Sequence, residues 1–398
     1  MKKKVIILGA SRFQTKGIIE AKRAGFYIVA LDRNPKSPGF DWADEGIVCD
    51  IADKEKVLQI AVEKNIDGIV AINDTGVPVA AYVSSVLGLP GISEEVAELA
   101  SNKELMRKVW IEKGVPCPKV FVATTMNEFK TGFEYIGFPC ILKPAHGLGG
   151  ASRGVIVVNN IEEAPLAIEF SQSFYPDKST LIETFIDAEY EHSAEVLIYQ
   201  GEAHVIAISD KIKTPLPYRV DKNVLYPSIV KGRKLAELKK VIIESVLSLN
   251  ITNGAAHVEI ASTKKGFVLF ELGARCGGGG TAEPIVHYST GINLFVEILR
   301  IAVGNPPSQV APFKSKGANY HFLTPEPGTI EDVIGLDTIL QLDGILDAEF
   351  FKGPGDVITR VKDGTERSGF IIAVGETREE AFIKGEKAEN LLQVTFRK

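Results

Sequence analysis

Short apolar runs alternate with helical spacings along the first part of the chain: "KVIILGA" from Lys4, a helical face from Gln14 to Ala24, "YIVALD", a second face from Lys54 to Lys64, "GIVAIN", and a third from Val77 to Leu87. Strands rich in β-branched residues, each followed by a helix, predict a parallel sheet covered on both faces, because parallel neighbours need a crossover long enough to hold a helix. A Rossmann-like α/β unit is placed at residues 1–95. From Ser93 to Lys113 the spacing is helical, with Ser93 and Glu94 as entry signals and Gly114 with "VPCP" as a stop. A mixed α+β segment at 96–188 and a larger one at 189–305 follow, then the Pro- and Gly-rich "VGNPPSQVAP". The last part, 306–398, offers short strands and ends in a strand, a turn at Gly375 and an amphipathic helix.

A chain of 398 residues with 45% hydrophobic and 24% charged residues is globular and too long for one core. Its net charge of -6 argues against nucleic acid as the main partner, a local basic patch aside. No apolar run approaches the roughly 20 residues of a membrane span, and "VIILGA" is too short for a secretory signal, so no membrane is expected and the localisation is read as cytoplasmic. Cys49, Cys117, Cys140 and Cys276 form no C-x-x-C pair and are read as small buried apolar groups.

"GASRFQTKG" after the first strand supplies only Gly9 of the three glycines that a dinucleotide fingerprint needs, which argues against a nicotinamide site. Asp32, Asn73, Asp74 and Thr75 stand at carboxyl ends of strands, where such sheets hold ligands. The sharper chemistry lies in "GAAHVEIASTKKGFVLFELGARCGGGG". Two alternating runs joined by "KKG" form a hairpin. A turn centred on Lys265 sets Glu259 opposite Glu271 and His257 opposite Gly273, with Val258, Ile260, Phe270 and Leu272 on the other face. Facing carboxylates repel unless a cation lies between them, and magnesium suits such a pair; the plainer reading is a solvated sheet face. Arg275 and four glycines after the same strand favour the first, since glycines cost backbone entropy unless the main chain must approach a ligand.

In "CILKPAHGLGGASRGVIVV", Lys143 ends a strand before a glycine-rich loop able to fold over phosphates; it is not a Walker loop, and a mobile hairpin tip is the bland alternative. "STLIETFIDAEYEHSAEV" brings Glu183 and Glu191, spaced for a base amine and ribose hydroxyls, unless they are simply exposed.

Together these motifs resemble the ATP-grasp superfamily, and within it the carboxylate-amine ligases, on the amino-acid ligase branch, across nearly the whole chain. The resemblance implies a Rossmann-like N-terminal domain, a two-part ATP-grasp (α+β) domain and a small C-terminal α+β segment packing on it. It implies that Lys103 and Lys143 contact ATP phosphates, and that the loop Gly147 to Gly154, with His146, Gly149, Gly150, Ala151 and Ser152, closes over them. Adenine would sit against Glu183, Phe185 and Ile186, with Glu191 on the ribose. Glu259 and Glu271 would hold Mg2+ or Mn2+, and Arg275 would stabilise the transferred phosphoryl group, with Lys143 and Glu271 also catalytic. "AISDKIKTPLPYRVD" resembles a substrate-side loop, making Lys211 and Tyr218 candidates together with Gly278 and Gly279. One departure is Gly273, where the family commonly has the asparagine that completes the metal shell.

The implied reaction activates a carboxylate as an acyl phosphate and joins it to an amine, with amino acids as the small-molecule partners and release of ADP and phosphate. The rivals are bicarbonate activation, as in biotin carboxylase-like or carbamoyl phosphate synthase-like enzymes, and, from another class, an oxidoreductase or a non-catalytic nucleotide-binding module. His257 and His287 are read mainly as structural histidines, and Arg367 and Ser368 as contacts from the last segment to the site's rim. A homodimer is left open, since no heptad marks an interface.

Overall fold

The computed structural model describes residues 2–146 and 150–397. The N-terminal sheet is parallel, in the order Glu45–Val48, Tyr27–Asp32, Lys4–Leu8, Gly68–Ala71. The central strand is buried on both faces, which is why it reads as a continuous apolar run. Ile6 and Leu8 enter a core with Val57, Ile60, Val79 and Val83 from the helices Lys54–Lys64 and Gly76–Leu87. Val5 and Ile7 face the other way, into a core shared with Phe295, Ile298 and Leu299 of the distant helix Leu294–Ala302. Gly17 is required there: a Cβ on it would lie 2.2 Å from the Phe295 ring. The first unit therefore shares its core with a helix that the sequence assigned to 189–305.

The expected continuous helix from Ser93 to Lys113 is two helices, Glu94–Ser101 and Lys103–Glu112. Asn102 adopts extended backbone between them and accepts from the backbone N–H of Glu104 and Leu105. This N-cap restarts the second helix in a new direction and places Lys103 in its first turn.

A small antiparallel sheet follows, ordered Val120–Ala123, Thr180–Thr184, Cys140–Pro144, Ile156–Val158. The main body is an eight-stranded sheet in the order Gly266–Gly273, Gly254–Thr263, Tyr190–Tyr199, Glu202–Lys213, Asp221–Tyr226, Gly317–Leu323, Gly369–Gly375, Ile345–Phe350. Its last three strands come from beyond residue 305. The C-terminal segment thus extends the sheet by hydrogen-bonded pairing of Asp221–Tyr226 with Gly317–Leu323, where the sequence suggested a separate unit packed against it. The helix Arg378–Glu389 is tied back by two side-chain contacts: Arg378 to buried Asp210, and Glu389 Oε2 to buried His321 Nε2 at 2.7 Å. Among the described residues no helix is long and apolar enough to cross a membrane.

Candidate functional site

The hairpin pairs Glu259 with Glu271 and His257 with Gly273, the expected register, by a different route. The loop proper is Lys264 and Lys265 between the pair Thr263 and Gly266, and the register then shifts between Glu259 and Ile260. The shift leaves Phe270 as an extra residue on its strand, a β-bulge. The expected alternation fails there. Phe270 lines a cavity together with Glu271, whereas Leu269 and Leu272 are buried in the core. Its carbonyl, freed from the ladder, accepts from Arg107 and, at 3.5 Å, from Lys143 Nζ.

That cavity, of about 710 Å³, is the right size for a small-molecule ligand. On its wall every carboxylate already faces a cation. Lys103 Nζ lies 3.1 Å from Glu271, and Lys211 Nζ lies 2.5 Å from Glu259 and 3.4 Å from Asp221. Lys213 lies 2.6 Å from Asp221, and Glu191 pairs with Lys213 and Arg219. Glu183 is buried, its Oε1 held by Arg107 at 3.1 and 2.8 Å and its Oε2 by Lys143 at 2.6 Å. Burial penalises the ionised form of Glu183, yet the two cations outweigh it and hold its carboxyl below the ordinary value. For Lys143 burial wins, with the nearby Arg107 adding to it, and its pKa falls below that of a free lysine. In Lys103 the attraction of Glu271 outweighs burial and raises the ammonium pKa. Lys103, Arg107, Lys143 and Arg275 face Glu183, Glu271 and Asp74, an excess of one positive charge that suits a polyanion.

Arg275 donates from Nε and Nη2 to the two oxygens of Asp74, at 2.6 and 2.9 Å, joining the hairpin's exit to the N-terminal sheet. Burial opposes the ionised Asp74, but the guanidinium prevails and lowers its pKa. Beyond Arg275 the glycines are explained individually. A Cβ at Gly277 would meet Glu195 Oε1 at 2.6 Å, and one at Gly279 would meet the Tyr320 hydroxyl at 2.6 Å. Fully buried Glu195 accepts from Gly277 N–H at 2.8 Å, and its other oxygen lies 2.6 Å from His257 Nδ1. Burial disfavours the His257 imidazolium, but Glu195 and Glu259 outweigh it and raise its pKa to about 9.

Of the glycine-rich loop, Gly147, Leu148 and Gly149 lie outside the described residues. Gly150, Ala151 and Ser152 follow in left-handed backbone (φ 47°, 60° and 58°), a conformation that costs energy for the last two. Contacts hold it in place: Ser152 Oγ donates to Arg219 O at 3.0 Å, and Ala151 O accepts from Gly364 N–H at 2.7 Å. Gly150, Ala151 and Ser152 all face the cavity.

The cavity also brings together Lys143, Glu183, Glu191, Lys211, His257, Glu259, Glu271, Arg275, Gly278, Gly279, Asp74, Thr75 and Arg367 from the sequence reading. Others stand apart. The Glu183 carboxylate is engaged by Arg107 and Lys143, so it is not free to meet a base amine. Phe185 and Ile186 are partly buried and outside the cavity wall. His146 contacts Asn102 at 2.9 Å and Asp177 at 2.7 Å. Tyr218 packs on Phe170, ring centroids 5.3 Å apart, instead of facing the cavity. His287 pairs with Glu283 at 2.8 Å, as a structural histidine does, and Ser368 is buried off the cavity wall. Asp32 accepts from Ala10 and Asn34 N–H and shapes its strand end, whereas Asn73 bridges Leu8 O and Gly76 N–H and also lines the cavity. The sequence reading missed Glu195, inside an apolar run, Arg107, one of several charged residues on an amphipathic helix, and an aromatic group led by Phe13, Phe351 and Phe370.

Two facing carboxylates on a cavity wall fit a divalent cation. The lysine-lined cavity, with the Gly150 backbone on its wall, has the charge and the size to suit a nucleotide triphosphate.

Residues 136–283 match the family model of the ATP-grasp domain, and residues 321–397 match that of the L-amino acid ligase C-terminal domain 2. The chain is 27% identical over 298 residues to the uncharacterized protein y4rH of Sinorhizobium fredii, covering 74% of this chain and 60% of that one, so it spans under two thirds of this relative's length. It is 26% identical over 344 residues to an L-arginine-specific L-amino acid ligase of Bacillus subtilis, covering 83% of this chain and 81% of that protein. The fold matches an L-amino acid ligase from Bacillus licheniformis with a TM-score of 0.84 at 23% identity, over 100% of this chain and 99% of that one. Residues 136–283 thus match an ATP-grasp domain and residues 321–397 an L-amino acid ligase C-terminal domain, and together these matches support the carboxylate-amine ligase branch of the ATP-grasp superfamily.

Proposed function

We propose that the protein is an ATP-dependent ligase that activates a substrate carboxylate as an acyl phosphate and joins it to an amine, with amino acids as substrates, releasing ADP and phosphate. The observation that carries this reading is the pairing of Glu259 with Glu271 on the cavity wall, with Arg275 at the exit of the same strand. Magnesium, when bound by those carboxylates, would neutralise phosphate charge.

The chain's own residues would do the rest. Lys143 and Lys103 would exchange their carboxylate partners for phosphate oxygens, spreading the charge that develops as a substrate carboxylate oxygen attacks the γ-phosphorus. Arg275 would orient that carboxylate and hold the acyl phosphate, and the ordered Gly150–Ser152 backbone would exclude water from it. Attack of the amine nitrogen on the acyl carbon then forms the amide bond as the carbon–oxygen bond to phosphate breaks, and the proton lost from the amine passes to a base. Within the family, the match of residues 321–397 to the amino-acid ligase C-terminal domain supports an amino acid over bicarbonate.

The test is a screen of amino acids and small carboxylates, singly and in pairs, for ATP-dependent phosphate release with mass analysis of the product. A requirement for a pair and a condensed product are expected. Phosphate release that needs bicarbonate and no amino acid would replace this reading, and Glu271→Gln with unchanged turnover would remove the hairpin from the mechanism.

A further inference from the structure

Where the strands Gly317–Leu323 and Gly369–Gly375, well across the eight-stranded sheet from the Glu259–Glu271 hairpin, border the cavity, five rings from four separate segments converge: Phe13, Tyr320, Phe322, Phe351 and Phe370. Tyr320 and Phe322 centroids lie 4.3 Å apart, Tyr320 and Phe370 5.5 Å, Phe351 and Phe370 5.9 Å, and Phe13 stands 6.4 Å from Phe351 in an edge-on contact. Phe13 and Phe351 are 37% and 38% exposed, an arrangement that leaves large apolar surface open to the cavity. The glycine run leads directly there, because Gly279 is the residue whose Cβ would strike the Tyr320 hydroxyl.

One cation belongs to this end. Arg367 lies over the Phe322 ring at 3.6 Å and donates from Nε to the Asp221 carbonyl at 3.2 Å. Its nearest carboxylate partner among the described residues, Asp221, is 4.0 Å away and already serves Lys211 and Lys213 at 3.4 and 2.6 Å. Arg367 is thus the least neutralised cation on the wall, one ion pair removed through Asp221 and Lys211 from Glu259. No carboxylate on the wall lacks a cation, so a guanidinium or ammonium side chain on a substrate would have to displace one.

Resting on the ligase reading above, we infer that this end binds the amine-donating substrate as a free α-amino acid with a large apolar or aromatic side chain, its α-carboxylate on Arg367 and its side chain among the five rings. Placing the carboxylate to be phosphorylated on Arg275, as in the ligase reading, leaves Arg367 for the carboxylate of the amine-bearing partner. Aromatic and apolar contacts would hold the side chain, and a charge-assisted bond would hold the carboxylate.

The experiment measures, on the full chain with ADP and Mg2+, calorimetric binding of L-phenylalanine, its carboxamide, L-arginine and glycine. In parallel it measures ATP-dependent phosphate release with the same compounds as amine donors beside a panel of carboxylates. L-phenylalanine should bind best, with its carboxamide weaker by about tenfold. Arg367→Gln should erase that difference, while Phe13→Ala and Phe351→Ala, at partly exposed positions where folding tolerates truncation, should weaken phenylalanine by about five- to tenfold and leave glycine and ADP binding in place. If phosphate release requires a pair but arginine or glycine is the preferred amine donor, or if the carboxamide binds equally well, the inference is overturned and the ligase reading stands. If no pair supports phosphate release, the ligase reading falls and the inference falls with it.

Discussion

Replacing Arg107 by Met tests how the phosphate-side charge is balanced. Arg107 and Glu183 are both buried, their side chains 0% and 3% exposed, and Arg107 grips Glu183 Oε1 through two nitrogens while a third contact reaches the Phe270 carbonyl. Losing one partner of such a pair leaves a buried charge undercompensated, which costs about 3–5 kcal/mol. At about 2–4 °C per kcal/mol for large domains, the melting temperature should fall by on the order of 10 °C. Function should change as well. With Arg107 present, the Glu183 charge is shared and Lys143 can be released to a phosphate; without it, the whole carboxylate charge faces Lys143 at 2.6 Å. Nucleotide affinity should therefore fall by about tenfold or more. The assay is a double-mutant cycle of Arg107→Met, Glu183→Gln and the pair, read by thermal melting and by ADP calorimetry. Glu183→Gln should restore much of the stability lost in Arg107→Met, since it removes the stranded charge. A single variant melting within about 2 °C of the parent, or strictly additive effects, would refute the reasoning.

Three further outcomes are expected. Gly277→Ala would push a methyl into Glu195 Oε1 and His257 Nδ1, which lie 2.6 and 3.0 Å from its Cβ position, so turnover should collapse while far-ultraviolet circular dichroism stays native. Asp74 has a lowered folded pKa because Arg275 outweighs its burial; its stabilising contribution is complete above the unfolded value of 3.8 and is lost as pH falls through the lower folded value. Asp74→Asn should accordingly flatten the acid limb of a stability-against-pH curve below about pH 4. Burial raises the Cys140 thiol to about 12 and moves Cys276 and Cys117 upward too, so alkylation at pH 8 should be slow in the native protein and reach all four cysteines only after unfolding.

The legible parts of the molecule were those written in local periodicity. The parallel strands and the helix Lys54–Lys64 follow from spacing, and the Glu259–Glu271 pairing follows from counting outward from a turn. The bulge at Phe270 was not legible, because a two-residue loop plus one extra residue gives the same outer register as the three-residue loop assumed. Arg107 was hidden among the other charged residues of its amphipathic helix and Glu195 in an apolar run, since neither shows its buried counter-charge until tertiary contacts supply it. The break at Asn102 was hidden by helical spacing that continues through it. The pairing of Asp221–Tyr226 with Gly317–Leu323 is a contact between strands about a hundred residues apart, for which no short-range pattern exists.

The central claim is that the two hairpin glutamates hold a divalent cation where nucleotide phosphates bind. Titrating Mn2+ into the protein with ADP, followed by the loss of its free-ion electron paramagnetic resonance signal, measures this directly. The parent should bind Mn2+ more tightly with ADP than without, and Glu259→Gln or Glu271→Gln should weaken that binding by at least about tenfold. Equal Mn2+ affinity in all three proteins would place the metal elsewhere and contradict the account.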